Sequence, residues 1–274
     1  MSNTPHTQIA FIGGGNMASA IIGGLIGNGL PAANITVVEP FEAARDALKT
    51  KFGIDAQPAA SAALARADLV VWAVKPQTFK DAAAPVAVHT AHALHLSVAA
   101  GITTDSIATW LNNRRIVRAM PNTPALVGKG MTGLFARPEV TAEGQALVER
   151  VIGTTGQFVW VDAEAKLDAV TALSGSGPAY VFLFLEAMTQ AGVDMCLTAE
   201  QSYQLAVATF QGASELAARS DEPAATLRER VTSKGGTTYA AITHMQQTQL
   251  PEHFIAALRK AETRAQELAA EFGR

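Results

Sequence analysis

The sequence has little cysteine and little charge. Cys196 is the single cysteine among 274 residues, which excludes an intrachain disulfide and a cysteine-rich zinc site and leads us to expect the reducing cytoplasm. Charged residues make up 16% of the chain, and 21 basic against 24 acidic residues give a net charge of -3. This balance offers neither a basic surface for nucleic acid nor a polybasic membrane anchor.

Long apolar runs and targeting signals are lacking as well. No apolar run reaches the roughly 18 residues of a membrane span, and the N-terminal MSNTPHTQ is polar, unlike a signal peptide. In contrast, 49% of the residues are hydrophobic, so the chain can bury a large core and extensive disorder is excluded. We therefore expect a soluble, cytoplasmic protein with neither a nucleic-acid nor a membrane partner.

The pattern of apolar residues predicts two domains. Up to residue 161, short runs rich in β-branched residues alternate with Ala-rich helical stretches, which predicts a parallel sheet covered on both faces. The predicted strands are QIAFIG, NITVVE, ADLVVWAV, HLSVAA, RIVRAM, MTGLFA and QFVWV. Helices alone are predicted after that, near 164–174, 178–192, 198–219, 223–231, 238–247 and 251–271. We place the domains at 1–162 and 163–274 and expect the apolar helices of the second to form a homodimer.

A glycine-rich motif joins the first predicted strand to the first helix. Gly13, Gly15 and Ala18 fit the pattern G-x-G-x-x-A, which is typical of dinucleotide-binding domains. Gly13 permits a tight turn, Gly15 allows the backbone to approach the pyrophosphate, and Ala18 permits close packing of helix on strand. The cofactor-binding residues expected here are Ile12, Gly13, Gly14, Gly15, Asn16, Met17 and Ala18.

The choice of dinucleotide depends on the end of the second strand. Glu39 stands where a carboxylate can bind both ribose hydroxyls and repel a 2′-phosphate, which favours NADH. Arg45, six residues later, is either a phosphate ligand or a solvated helix charge. The sequence leaves the preference between NADPH and NADH open.

Five further motifs follow in order along the chain. They are AVKP at 73–76, SVAAG at 97–101, RAMPNTPA at 118–125, LSGSGPAY at 173–180 and GGTT at 235–238. With these motifs the chain resembles the pyrroline-5-carboxylate reductase family from residue 9 to about residue 267. The resemblance implies an α/β Rossmann N-terminal domain with an all-helical C-terminal dimerisation domain. It also implies reduction of 1-pyrroline-5-carboxylate to L-proline by NADPH or NADH, and it allows a ring of dimers.

The GGTT motif is the expected substrate loop. Two glycines before a helix start expose N–H groups that suit a small carboxylate, although threonine at a helix start also serves as an ordinary cap. The resemblance assigns Gly235, Gly236, Thr237 and Thr238 to the substrate, with the catalytic Thr238 hydroxyl near the ring nitrogen. The family usually has proline where Lys234 stands, which frees one backbone dihedral and adds a cation beside the loop.

The resemblance assigns further residues to the two ligands. It places Ala73, Val74, Lys75, Pro76, Val98, Ala99 and Ala100 against the cofactor. It also matches Glu164 and Glu229 to acidic positions near the substrate. An ordinary carboxylate on a helix surface is an equally good interpretation of each. Asn122 and Thr123 either touch a ligand or form a plain turn. The serines of SGSGP lack the nucleophile-elbow spacing, and the pattern of His89, His92 and His95 indicates solvated histidines rather than a metal site.

The predicted chemistry needs little acid catalysis. A protonated cyclic imine is already electrophilic, so the protein has to align the nicotinamide with the imine carbon, exclude water and anchor the carboxylate. Two alternatives are a β-hydroxyacid dehydrogenase relative and a non-catalytic nucleotide sensor. The first needs a helix lysine, which is missing between residues 178 and 233, and the intact substrate motif speaks against the second.

Overall fold

The computed structural model describes residues 7–272. The strands are β1 (Ile9–Ile12), β2 (Ile35–Val38), β3 (Leu69–Trp72), β4 (Leu94–Ser97), β5 (Ile116–Met120), β6 (Gly130–Ala136) and β7 (Gly156–Trp160). The helices of the first part are α1 (Asn16–Gly27), α2 (Glu42–Phe52), α3 (Pro76–Ala87), α4 (Thr104–Leu111), α5 (Ala142–Ile152) and α6 (Lys166–Val170). A π-helical turn, Thr171–Gly175, extends α6.

The remaining helices follow in the C-terminal part of the chain. They are α7 (Gly177–Asp194), α8 (Ala199–Ala218), α9 (Ala224–Arg230), α10 (Thr237–Gln247) and α11 (Leu250–Phe272). Each lies at a position predicted from the sequence. None of the described helices is both long and apolar enough to cross a bilayer.

One sheet contains the seven strands of the described chain, in the order β2-β1-β3-β4-β5-β6-β7. The predicted strand positions are confirmed. The expectation of a parallel sheet is wrong at one place, because β5 and β6 pair antiparallel. The segment between Met120 and Gly130 is too short for the crossover of about a dozen residues that a parallel pair needs.

Apolar side chains bury both faces of this sheet. Along β1, Ile9 and Phe11 belong to one core cluster, whereas Ala10 and Ile12 belong to the other, as the alternation of side chains along a strand requires. Helices α1 and α5 cover the first cluster, and α3 and α4 cover the second. Ligands can therefore reach the edges and connecting turns of the sheet but not its faces.

Packing divides the chain into two compact units. The first contains residues up to Ser176 together with the segment from Ala261, and the second is Gly177–Lys260. In the second unit, Phe184 lies 6.5 Å from Phe210 and 5.8 Å from Phe254, measured between ring centroids. The sequence boundary between residues 162 and 163 remains a prediction about the domains.

Candidate functional site

Four predicted cofactor segments begin at the same edge of the sheet. Ile12 is the register partner of both Val38 and Trp72, and Trp72 is the partner of Ser97. The residues that follow these four are Gly13, Glu39, Ala73 and Val98. Because neighbouring strands are about 5 Å apart, the four turns form one continuous row at the carboxyl edge, where α/β sheets bind their ligands.

The glycine loop is shaped by close backbone contacts. Gly13 has a φ of +94°, and a Cβ atom built on it would lie 2.5 Å from the Ala73 carbonyl oxygen, so no side chain is tolerated there. Gly15 is the exposed N-cap of α1 without a side-chain cap, and a Cβ built on it meets nothing within 4 Å. The start of α1 therefore has open space beside Gly15, which fits a bound pyrophosphate.

Glu39 is buried beneath this loop. Its Oε2 accepts a hydrogen bond of 2.8 Å from the Gly14 N–H, and its Oε1 accepts one of 2.9 Å from the Phe41 N–H. Only 6% of the residue is exposed. The carboxylate thus fixes the shape of the glycine loop, and its part in selecting NADH remains a prediction.

Arg45 holds the turn that follows β2. Its Nη1 donates to the carbonyl oxygens of Glu39, at 3.1 Å, and Pro40, at 2.7 Å. The side chain is half-buried. The sequence suggested either a solvated helix charge or a phosphate ligand at Arg45. Neither interpretation predicted these hydrogen bonds to backbone carbonyl groups.

The two turns that follow β3 and β4 are each hydrogen-bonded to the neighbouring strand of the sheet, β1 and β3 respectively. The Ala73 N–H donates to the Ile12 carbonyl at 2.8 Å, and the Val98 N–H donates to the Trp72 carbonyl at 3.0 Å. Lys75 is exposed and forms the N-cap of α3, with Pro76 in its first turn. Ala99 is buried, with its N–H 3.3 Å from the Ser97 hydroxyl. These contacts place the turn after β3 beside the glycine loop and the turn after β4 beside the turn after β3.

The Glu164 carboxylate accepts hydrogen bonds from residues of the first unit. Its Oε1 accepts hydrogen bonds from the Thr104 N–H, at 2.7 Å, and from Arg118 Nη1, at 2.8 Å. Its Oε2 accepts a bond of 2.6 Å from the Thr104 hydroxyl, which in turn accepts one from Arg137. A role of Glu164 in substrate binding was predicted from the sequence and remains a prediction.

Asp168 lies close to the same charged group. Partial burial raises the pKa of its carboxyl, and Glu262 and Glu164 raise it further, whereas the Arg118 guanidinium opposes the shift. Arg118 itself is only 5% exposed. Two carboxylates therefore surround one buried cation, and Glu164 makes the direct ion pair.

The segments RAMPNTPA and LSGSGPAY are hydrogen-bonded to each other through Asn122 and Ser174. Asn122 Nδ2 donates to the carbonyl and the hydroxyl oxygen of Ser174, at 3.3 and 3.2 Å. Its Oδ1 accepts a bond of 2.9 Å from the Met131 N–H. Asn122 thus joins three segments, whereas Thr123 is exposed.

The GGTT segment begins helix α10 in the second unit. Gly235 has a φ of +75°, a conformation that favours glycine. The N-cap is Gly236, and no side chain in the described part of the chain caps the helix there. Thr237 and Thr238 are the first two helical residues, so the capping role considered from the sequence is not seen.

Two other predicted residues of the second unit are exposed. Glu229 lies in the last turn of α9, and Lys234 lies in the turn that precedes Gly235. Nothing in their local packing ties either side chain to a particular role. The assignment of Glu229 to the substrate therefore remains a prediction.

The expectation of solvated histidines is wrong for His95. It lies in β4 and is 1% exposed, and its Nδ1 accepts a hydrogen bond of 3.1 Å from Trp72 Nε1. Burial lowers the pKa of His95 to about 4. His92 is exposed and His89 half-buried, and residues 7–272 contain no group of three side chains arranged to hold a metal ion.

Comparison with known proteins identifies the family. The chain is 43% identical over 270 residues to the pyrroline-5-carboxylate reductase of Pseudomonas aeruginosa, and the alignment covers 97% of this chain and 98% of that protein. The chain belongs to the pyrroline-5-carboxylate reductase family. The family's dimerisation model matches residues 164–268, and a model described as NADP oxidoreductase, coenzyme F420-dependent, matches residues 8–101. The family expected from the sequence motifs is confirmed.

Solved structures of the pyrroline-5-carboxylate reductase family agree with the whole fold. The Coxiella burnetii enzyme superposes with a TM-score of 0.90 at 40% identity and covers 96% of this chain and 99% of its own. The Plasmodium falciparum enzyme, with NADP bound, gives 0.86 at 26% identity and covers 97% and 100%. The expected α/β Rossmann domain followed by helices is confirmed.

The sequence did not reveal the side chains that bond to Glu164 and hold the start of α4 in this reductase. Glu164 accepts hydrogen bonds from Thr104 and from Arg118, and Arg137 donates to the Thr104 hydroxyl. Along the chain, 46 residues separate Arg118 from Glu164. Arg118 opens the motif RAMPNTPA, and a charged residue inside a buried strand was the available signal. Thr104 follows the motif SVAAG without any local sign of its partner.

Proposed function

We propose that this chain reduces 1-pyrroline-5-carboxylate to L-proline by hydride transfer from NADPH or NADH, the last step of proline biosynthesis. The observation that carries the proposal is the 43% identity, over nearly the whole chain, to a reductase of that name. The open glycine loop supports it from the cofactor side, and the uncapped start of α10 supports it from the substrate side.

The cofactor is assigned to the first unit. The N–H groups at the start of α1 bind the pyrophosphate, and the turns at Ala73–Pro76 and Val98–Ala100 lie along the dinucleotide. When bound, the reduced nicotinamide supplies a hydride to the imine carbon. The backbone of these turns has to hold the ring at reaction distance and to exclude water from it.

The substrate is assigned to the segment Gly235–Thr238. Its carboxylate is anchored by free N–H groups at the positive end of the α10 dipole. As hydride reaches the carbon of the protonated C=N bond, the nitrogen loses its positive charge and regains a lone pair. The Thr238 hydroxyl donates a hydrogen bond to this lone pair, which stabilises the transition state more than the ground state.

The second unit is proposed to form a homodimer. Large apolar side chains of α7 and α8 are exposed in the single chain, among them Leu183, at 63%, and Tyr203, at 58%. Burial of such a surface is typical of permanent dimers. A ring of dimers, also expected from the resemblance, and a cytoplasmic location remain proposals; the single free cysteine, Cys196, agrees with a reducing compartment.

Substitution of Thr238 tests the substrate assignment. We expect Thr238→Val, which keeps the shape and removes the hydroxyl, to lower kcat/KM for 1-pyrroline-5-carboxylate about 100-fold, as loss of a transition-state donor does. Nucleotide binding should be unchanged, and Thr238→Ser should restore most of the activity. Thr248→Val, at the other end of α10, is the matched control. Equal loss of turnover and nucleotide binding in Thr238→Val would show that the residue is structural.

A further inference from the structure

We infer that Glu164 is a positioning residue that fixes the turn between β4 and α4 for the nicotinamide half of the cofactor, rather than a ligand of the substrate. The inference rests on the proposed function, because it concerns how that reaction's cofactor is held. It replaces the role that the sequence suggested for this carboxylate. The hydrogen-bond partners of Glu164 all lie within the first unit.

Glu164 holds both ends of the turn. The turn begins after Ser97, the last residue of β4, and ends at Thr104, the first residue of α4. At its far end, Glu164 accepts both the N–H and the hydroxyl of Thr104. At its near end, Glu164 pairs with Arg118 at 2.8 Å, and Arg118 is the register partner of Ser97 in the sheet. One carboxylate therefore spans the turn.

These contacts are of a strong kind. All three are charge-assisted, and such hydrogen bonds are shorter and stronger than neutral ones. The Thr104 N–H also stands in the first turn of α4, where a negative charge is favoured by the helix dipole. Because Arg118 is 5% exposed, removal of Glu164 would leave this buried cation without its direct ion pair, which is unfavourable.

Other residues of the turn have packing contacts as well. Gly101 lies against Leu268, whose backbone carbon would be 3.4 Å from a Cβ atom built on the glycine. Thr103 caps α4 by accepting a bond from the Ser106 N–H. Arg137 also donates to the Thr104 hydroxyl and pairs with Asp105, and Glu164 is the carboxylate that connects Thr104 to Arg118 beside β4.

The sheet order assigns this turn to the nicotinamide half. The order is β2-β1-β3-β4 across the relevant edge. A dinucleotide lies across the glycine loop after β1, with its adenine ribose toward β2 and Glu39. The nicotinamide half then extends to the other side, over β3 and β4. The turn that Glu164 holds is therefore the one nearest the reacting end of the cofactor.

A substrate role fits Glu164 less well. The substrate is an anion, and a second carboxylate would repel it. The two Glu164 oxygens already accept three hydrogen bonds from protein groups. A carboxylate that already accepts three hydrogen bonds is better suited to fix the position of the turn than to bind and release a ligand.

The test compares two probes that differ only in the nicotinamide. We would titrate wild type and Glu164→Gln with NADPH and with ADP-ribose 2′-phosphate, which is NADPH without its nicotinamide ring. If the variant's turn is in the binding geometry about a tenth of the time, the Kd for NADPH rises about tenfold. The Kd for ADP-ribose 2′-phosphate should stay within about twofold, as should the KM for 1-pyrroline-5-carboxylate at saturating NADPH.

Two further variants make the result decisive. Asp55→Asn removes an exposed ion pair with Lys49 in the same unit and should change neither Kd. Thr104→Val keeps the backbone N–H and removes the hydroxyl, so it should weaken NADPH binding about threefold and decide the matter if Glu164→Gln does not fold. Equal weakening of both probes, an unchanged Kd for NADPH, or a rise in substrate KM alone would overturn the inference. Absence of wild-type turnover would instead refute the proposed function, and the binding titrations would still test Glu164.

Discussion

Lowering the pH from 7 to 4.5 is expected to destabilise the first unit through His95. The side chain is 1% exposed, and its Nδ1 accepts the Trp72 Nε1–H, so the single ring proton belongs on Nε2. Protonation of Nδ1 would break that bond and place a cation in an apolar layer near the positive charge of Arg115. The neutral form is therefore the one that folding favours.

The magnitude follows from the pKa of His95. Burial, the main cause, together with Arg115 and His92 lowers it from 6.5 to about 4, and the Thr90 backbone partly opposes this shift. Because the folded-state pKa is the lower one, the unfolded chain binds a proton first as the pH falls. The stability is complete above pH 6.5 and is lost progressively down to pH 4, with roughly 2 to 3 kcal/mol lost at pH 4.5.

The assay is urea unfolding followed by tryptophan fluorescence at pH 7 and pH 4.5, at one protein concentration. His95→Gln keeps an acceptor for Trp72 but does not titrate, so its free energy of unfolding should fall by roughly 2 to 3 kcal/mol less than that of wild type. His92→Gln, at an exposed position, should behave as wild type. An identical fall in wild type and in a folded His95→Gln variant would refute the reasoning.

Two further predictions concern the glycine loop. Gly13→Ala should weaken NADPH binding at least about tenfold and lower the Tm by several degrees, because the φ of +94° and the 2.5 Å approach to the Ala73 oxygen leave no room for a methyl group; unchanged titration and melting curves would contradict this. In contrast to the selection of NADH that the sequence favours, Glu39→Gln should weaken NADH and NADPH binding by a similar factor, because its carboxylate oxygens bind the N–H groups of Gly14 and Phe41. A shift in preference toward NADPH of more than about tenfold would show instead that Glu39 selects the ribose.

Local patterns predicted the elements of this fold but not all of their relations. The β-branched runs located every strand of the described chain, because buried strands need such residues along their whole length. The antiparallel pairing of β5 and β6 cannot be deduced from the apolar residues of either strand, because their periodicity does not indicate the relative direction of two strands. The shortness of the segment after Met120 was the signal that could have revealed it.

The site was predictable where motifs are local. The glycine loop and the start of α10 act through backbone geometry, which nearby residues determine. His95 was misjudged because the three-residue spacing of histidines was considered apart from the strand that contains one of them. Glu164, Thr104 and Arg118 meet only after folding, and the separation of 60 residues between Thr104 and Glu164 leaves no local trace.

The transfer of deuterium tests the central claim most directly. Wild-type protein would be incubated with 1-pyrroline-5-carboxylate and NADPH or NADH that carries deuterium at the transferable position of nicotinamide C4, and the product would be analysed by mass spectrometry. We predict L-proline with one deuterium on the former imine carbon, with at least one of the two cofactors. Formation of no proline with either cofactor, or of proline without the label, would contradict the account.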